Sequence, residues 1–380
     1  MTKHQEITFE GLSEAYVEHR DKILGIIDRV LATGMRLRSE EVELFEQRCA
    51  QAVQRKFAVA VNSGTDALHL ALRALGVGPG DEVIVTAFSF LASGSSILLA
   101  GAIPVFVDIL PSTLLMDVNQ VEEAITDKTK AILVVQLFGQ CLNFSELEVL
   151  ASRYGIAIVE DAAQAFGSYD GERPAGKLGD ISIFSFDPAK VIPGITTGGV
   201  ICTDDERLYR QAQLLHFHGY NRRTDDTELL GYNSQMSAIN AAVLSWQLTL
   251  EPVWRQKRCQ IAVQYEKRLG ELLGIKTLPS TRVGGNNYHK YVIQIPRRWY
   301  VMVQLRRQGI PFKIHYPRPI PKYSSFKERC RCLNELPVSG SVSNRVLSLP
   351  IHPFLLPDHV ELIISAIENA MQSSLRGVEQ

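Results

Sequence analysis

The run Ile156-Ala157-Ile158-Val159-Glu160-Asp161-Ala162-Ala163-Gln164 decides the fold class. Its first four residues are apolar without alternation, the pattern of a strand covered on both faces. Two carboxylates then stand side by side where the strand ends. Successive side chains of a strand point to opposite faces, so Glu160 and Asp161 face apart. Asp161 is thereby placed at the carboxyl edge of its sheet, where open α/β sheets hold their ligands. The other use for an acid at that point is a helix cap.

Short apolar runs recur around it, at Phe57–Val61, Glu82–Thr86, Ile103–Asp108, Ala131–Gln136, Ile181–Phe186 and Val200–Thr203. Helical patterns fall between them, for instance over Thr65–Leu75 and Phe144–Ser152. Strands alternating with helices predict a three-layer α/β domain with a mostly parallel sheet. Two helices precede it. Leu12, Tyr16, Ile23, Ile26, Ile27 and Val30 recur at a spacing of about 3.6 residues, and Ser39 is expected to cap a second helix whose first turn is acidic. Past Glu251 the texture changes. Helical patterns at Val253–Leu273, Tyr300–Gln308 and Asp358–Met371 enclose a strand near Tyr288–Ile295 and a loop rich in Pro and Tyr. The expected division is a large domain over residues 1–250 and a smaller α+β domain over 251–380.

Composition narrows the function classes. A length of 380 residues suffices for two cores. With 40 basic and 41 acidic residues the formal net charge is -1, so no long-range field recruits nucleic acid or a membrane surface. No apolar run approaches the roughly 20 residues of a spanning helix, and the first six residues lack the apolar centre of a secretion signal. The six cysteines are scattered, with only Cys330 and Cys332 close together. That fits reduced thiols in a cytoplasmic protein better than a zinc site.

Two segments bracket Asp161 in sequence. Upstream, Ser63-Gly64-Thr65 joins a strand to a helix. Free N–H groups at a helix N-terminus bind a phosphate, and Gly64 lets the backbone come close. An ordinary capped helix start is the competing reading. Downstream, Lys190 closes Phe184-Ser185-Phe186-Asp187-Pro188-Ala189-Lys190. Desolvation and like charge lower the pKa of an amine beside a cationic ring, making it nucleophilic toward an aldehyde. Ser185, on the preceding strand, can donate to the phosphate. Each signal alone is weak. In this order they supply a phosphate cradle, an acid for a ring nitrogen and an amine for a Schiff base, which together suit pyridoxal 5'-phosphate (PLP). His315 shares its loop with Tyr316 and Arg318, groups suited to hydroxyl and phosphate recognition. His216, His218, Arg222-Arg223 and Arg297-Arg298 read as polar surface.

With these motifs on the page, the chain resembles the sugar aminotransferases of the DegT/DnrJ/EryC1/StrS family, a branch of fold-type I PLP enzymes. The resemblance runs through residues 62–72, 78–85, 101–108, 160–164, 185–190, 231–236, 315–317 and 347–350. It implies that Lys190 is the Schiff-base lysine and proton carrier, that Asp161 binds the pyridine nitrogen and that Gln164 sits near the ring hydroxyl. Phe90 is expected on one ring face and Ala163 on the other, with Phe88 the second choice for the first. Gly64, Thr65 and Ser185 would hold the phosphate, and Asn233 would reach it from the partner subunit of a homodimer. His315 and Tyr316 resemble residues lining a nucleotide-sugar site. Gln235 departs from the pattern, since arginine is common at its place. Relatives that dehydrate sugars carry histidine where this chain has Lys190, which favours transamination. The activity implied is transfer of an amino group from L-glutamate to a nucleotide-linked keto-sugar, with the 3-keto form slightly ahead of the 4-keto form. A cyclitol or other ketone, or a regulator that binds PLP without turnover, are the alternatives.

Overall fold

A computed structural model describes residues 6–278 and 285–376. The first six residues, read for a secretion signal, fall outside them but for Glu6, as do the last four of the expected second domain. Seven strands of the large sheet come first: β1 (Phe57–Val61), β2 (Glu82–Thr86), β3 (Ile103–Val107), β4 (Thr129–Val135), β5 (Ala157–Asp161), β6 (Ile181–Ser185) and β7 (Gly199–Thr203). Past residue 270 come four shorter ones, β8 (Lys276–Thr277), β9 (Tyr291–Gln294), β10 (Arg331–Cys332) and β11 (Val346–Leu349), and two-residue hairpins at 169–174 and 220–227 stand apart from both sheets. The large sheet runs β1-β7-β6-β5-β4-β2-β3-β10, and β8-β9-β11 form a separate one.

Only β7 runs against its neighbours, pairing antiparallel with both β1 and β6. Every other pair in the large sheet is parallel. Because β7 reverses twice, β1, β6 and β5 point the same way and end at one edge of the sheet. The segments after those ends begin at Ser63, Asp161 and Ser185, so the topology itself gathers the residues that the sequence separates. Helices cover the strands, which explains why the central strands are apolar throughout. Val83, Val85, Ile132, Leu133 and Val159 are wholly buried.

Helices α1 (Leu12–Ala32) and α2 (Glu40–Ala52) precede the sheet, and α3 (Gly64–Ala74) and α4 (Leu91–Leu99) flank it. Ile26 and Val30 of α1 pack on the helix Ala238–Gln247 with Ala242 and Val243, while Leu12 and Tyr16 stay exposed. Ser39 stands at the start of α2, but its side chain makes no capping bond. The backbone alone closes that turn, through the Val42 N–H to the Ser39 carbonyl. Arg298 also departs from the surface reading. Its guanidinium donates to the carbonyls of Ser343 and Val346, both at 2.8 Å, and so ties the helix Arg298–Arg307 to β11.

A second core lies around β9 and β11, with the helices Glu251–Leu269 and Pro357–Arg376 packed on it. Ile7, from the other end of the chain, is buried in this core. In the opposite direction, Ile320, Phe326 and Leu336 join the core of the large sheet, and β10 extends that sheet at its edge. Through these exchanges residues 9–10 and 313–323 both reach the carboxyl edge of the large sheet.

Candidate active site

The turn after β1 is capped and open at once. Ser63 Oγ accepts the N–H of Asp66 at 3.1 Å, so the hydroxyl is the helix cap. Gly64 and Thr65 are the first residues of α3, and their N–H groups have no carbonyl one turn earlier to bond. A glycine is required by contact. A Cβ at position 64 would stand 2.6 Å from the Cβ of Ser185 and 2.8 Å from its Oγ. Gly199 is held the same way, since a Cβ there would lie 2.3 Å from the Ser63 carbonyl oxygen. The ends of β1, β6 and β7 are thus pressed together, which sets the Ser185 hydroxyl beside the N-terminus of α3.

Strand alternation separates the two acids as expected. Glu160 turns to the far face, where Gln136 and the N–H groups of Gly176 and Leu178 donate to it. Burial pushes its carboxyl up to about 7. It is a structural acid. Asp161 turns to the ligand edge, and no helix follows for it to cap. Its Oδ2 accepts from Ser93 Oγ at 2.9 Å and its Oδ1 from the Ala163 N–H at 3.2 Å. Burial pushes the Asp161 carboxyl up, while Ser93, Ala163 and the charge of Lys190 pull it back. A buried acid served by two donors is stabilised further by a cation on its open side. Lys190 follows a bend after β6, with its N–H on the Asp187 carbonyl. Burial drives its amine down and Asp161 and Asp187 oppose, with the net direction down. That is the direction an amine nucleophile needs.

These groups line one cleft of about 380 Å³. Gly64, Thr65, Phe90, Asp161, Ala163, Gln164, Ser185, Lys190, His315 and Tyr316 all border it. Phe90 is 53% exposed at the start of α4, whereas Phe88 is fully buried with its ring edge-on to Tyr316. Only Phe90 presents a free face. Asn233 does not join the cleft of its own chain. It is exposed, and Gln235 Nε2 donates to its Oδ1 at 2.8 Å. Gln235 in turn accepts from the Arg38 guanidinium, so a cation does stand beside position 235. A larger groove of about 950 Å³, bordered by Arg38, Glu46, Tyr209 and Arg222, contains none of the predicted residues.

Several groups in the cleft were not singled out in the sequence. Ser93 is one turn into α4. Tyr288-His289-Lys290 leads into β9, and Glu10 and Lys313 arrive from the two ends of the chain. His289 places Nδ1 3.1 Å from Gln164 Oε1 and Nε2 3.1 Å from the Ala189 carbonyl. Gln164 Nε2 donates to the Tyr316 hydroxyl at 3.2 Å. Both ring nitrogens face acceptor oxygens, and a neutral imidazole donates from only one of them, so His289 bonds one of these two oxygens at a time. His315 is anchored through Nδ1 to Ser348 Oγ at 2.8 Å, and burial with the nearby lysines holds it down to about 3.

Lys290 is 8% exposed, and burial holds its amine down to about 7, with Glu10 opposing and Lys190, Lys313 and Arg258 adding to the drop. The ordinary lysine value is 10.5, so between pH 7 and 10.5 the unfolded chain holds this proton more firmly than the folded one. The cost to stability is largest at and below pH 7 and fades as pH rises toward 10.5. Lys290→Met is expected to raise the thermal midpoint at pH 7, by at most roughly 4 kcal/mol of stability, and to lose that gain by about pH 10. Thermal melts of both proteins across that range check this, and an unchanged midpoint at pH 7 would count against it.

The residues fit PLP: a helix start that excludes any side chain, a hydroxyl beside it, a buried acid wanting a cation, and an amine of lowered pKa share one cleft. Fold and cleft define a fold-type I PLP-dependent enzyme. The chain belongs to the DegT/DnrJ/EryC1/StrS aminotransferase family, whose model matches residues 18–368. It is accordingly an aminotransferase with pyridoxal phosphate as its cofactor. It is 36% identical to the UDP-2-acetamido-2-deoxy-3-oxo-D-glucuronate aminotransferase of Pseudomonas aeruginosa, over 96% of this chain and 100% of that protein. It is 35% identical to a pleiotropic regulatory protein of Geobacillus stearothermophilus, over 94% of this chain and 96% of that protein. Among solved structures, DesV of S. venezuelae superposes with a TM-score of 0.92 at 36% identity, covering 96% of this chain and 98% of that one.

Proposed function

We propose that this enzyme takes an amino group from L-glutamate and places it on a nucleotide-linked keto-sugar, with a 3-keto sugar favoured. The observation that carries the reading is the meeting of Lys190 and Asp161 in a cleft that His315 and Tyr316 also line. When bound, PLP supplies an aldehyde that exchanges for the amino group and a ring that spreads negative charge. The chain's own residues do the rest. Asp161 keeps a ring nitrogen protonated, Ser185 and the N–H groups of Gly64 and Thr65 hold the phosphate, and Phe90 and Ala163 confine the ring. Lys190 Nζ moves the proton to and from the carbon that carries nitrogen. His289, with Nε2–H donated to the Ala189 carbonyl, steadies the peptide before Lys190, so the amine returns to one place in each half of a ping-pong cycle.

The preference for a 3-keto acceptor is supported by the His315-Tyr316-Pro317 loop and by the Pseudomonas aeruginosa relative, which is named for a 3-oxo sugar. Incubation with L-glutamate and UDP- or dTDP-linked 3-keto and 4-keto sugars, followed by mass spectrometry, tests the assignment. Amino-sugar and 2-oxoglutarate in equal amounts support it, and 2-oxoglutarate without amino-sugar would overturn the acceptor. A regulator without turnover is the second reading, prompted by the Geobacillus relative's name. We read Asn233 as serving the cleft of a partner subunit, since it is exposed and away from its own. The exposed Val17, Leu24 and Leu31 of α1 offer apolar surface for such an assembly. Sedimentation of the holoenzyme as a monomer at micromolar concentration would rule this out.

A further inference from the structure

We propose that Lys290 and Lys313 form a carboxylate-binding pole at one end of the cleft, a reading that rests on the transaminase assignment. Lys290 Nζ lies 5.3 Å from the centroid of the Phe9 ring and Lys313 Nζ 4.9 Å from it, so both ammonium groups share one aromatic neighbour. Both border the cleft. Lys313 is paired with Glu10. Among the described residues Lys290 has no ion pair, and its hydrogen bond to the Ala189 carbonyl is long, at 3.4 Å. The other acids at this end are engaged. Asp161 is held by Ser93 and Ala163, and Asp187 Oδ1 accepts the Ala189 N–H at 2.9 Å.

The charges here do not cancel. Two lysines face one glutamate, and the surplus sits on the buried amine. A buried ammonium without a counter-ion is unfavourable, and packing alone would be served by methionine or leucine at the same cost in volume. Support of the Ala189 carbonyl does not account for it either, because His289 Nε2 already reaches that oxygen at 3.1 Å. An anion arriving with the substrate supplies the missing partner. Its position next to the peptide of Lys190 puts that anion on the molecule exchanging nitrogen. A carboxylate fits an ammonium pair flanked by His315 and roofed by an aromatic ring. Two substrates can bring one: the amino donor, or a keto-sugar that is itself a uronic acid.

Equilibrium binding to the holoenzyme separates these sources without needing turnover. Calorimetric titrations would compare UDP- and dTDP-glucuronate with the matching glucose compounds, and glutarate with its neutral diamide. The wild type is expected to favour the acid of at least one pair by about tenfold to a hundredfold. Lys290→Met, and to a smaller extent Lys313→Gln, should collapse that preference toward unity. Loss confined to the nucleotide sugars assigns the pole to the acceptor, and loss for glutarate assigns it to the donor. No preference in either wild-type pair, or equal weakening of acid and neutral probes in both variants, would overturn the proposal. A protein that favours the acids yet never transfers nitrogen from glutamate would refute the proposed function and leave the pole standing.

Discussion

Lys190→Ala is expected to abolish turnover, lowering the rate by at least about 10³-fold, since the side chain is both the covalent anchor and the proton carrier. No other group described in the cleft can stand in for it. His289 has both ring nitrogens against oxygens of Gln164 and Ala189, and burial with the neighbouring lysines keeps it far from protonation. Lys290 Nζ lies with that of Lys313 by the Phe9 ring, at the end of the cleft assigned above to a carboxylate. Tyr316 has its hydroxyl pushed up by burial and accepts from Gln164. The variant should remain folded, because among the described residues Lys190 makes no side-chain hydrogen bond to the cores, and small amines added to the assay should restore part of the rate. Steady-state assays with and without methylamine check this. Near-normal rates in the variant would remove Lys190 from the chemistry.

Asp161→Asn has the second largest expected effect, a fall of roughly 10²–10³-fold in kcat. An amide cannot keep a ring nitrogen protonated, so the electron-withdrawing power of the bound ring is lost while its place in the cleft is kept. The substitution also removes a buried charge whose burial is only partly offset by Ser93 and Ala163. The cofactor-free variant should therefore be no less stable than the cofactor-free wild type, even as the rate collapses. That split separates a chemical role from a structural one. Loss of folding in parallel with loss of rate would point to a structural acid like Glu160.

Much of this site is legible in the sequence because strand geometry does the placing. Period-two alternation sends Glu160 and Asp161 to opposite faces, and apolar runs mark β1 and β2 to the residue. The order of the three motifs then needs only one fact that periodicity does not contain, the insertion of antiparallel β7 between β1 and β6. What stayed hidden came from long-range contact. Ser93 looks like one more small residue in Leu91–Leu99 until its hydroxyl meets Asp161 across 68 positions. Lys290 falls inside the stretch Tyr288–Ile295 read as a strand and carries no local sign of a site, while the fold buries it. Glu10 and Lys313 lie some 300 residues apart in the chain and pair only after the N-terminal segment crosses the second core. A two-residue strand such as β10 carries no period at all. Ser39 and Arg298 show the converse, since local rules assign a cap and a solvated charge where the backbone and a pair of carbonyls decide otherwise.

The most direct test of the account is the visible absorbance of the purified holoenzyme before and after L-glutamate. Transamination predicts a visible band from the cofactor bound at Lys190, bleached by glutamate with release of 2-oxoglutarate and absent from Lys190→Ala in its native form. A wild-type band that L-glutamate leaves unchanged would contradict the proposed donor and cycle, and no band after PLP is supplied would contradict the role given to Lys190.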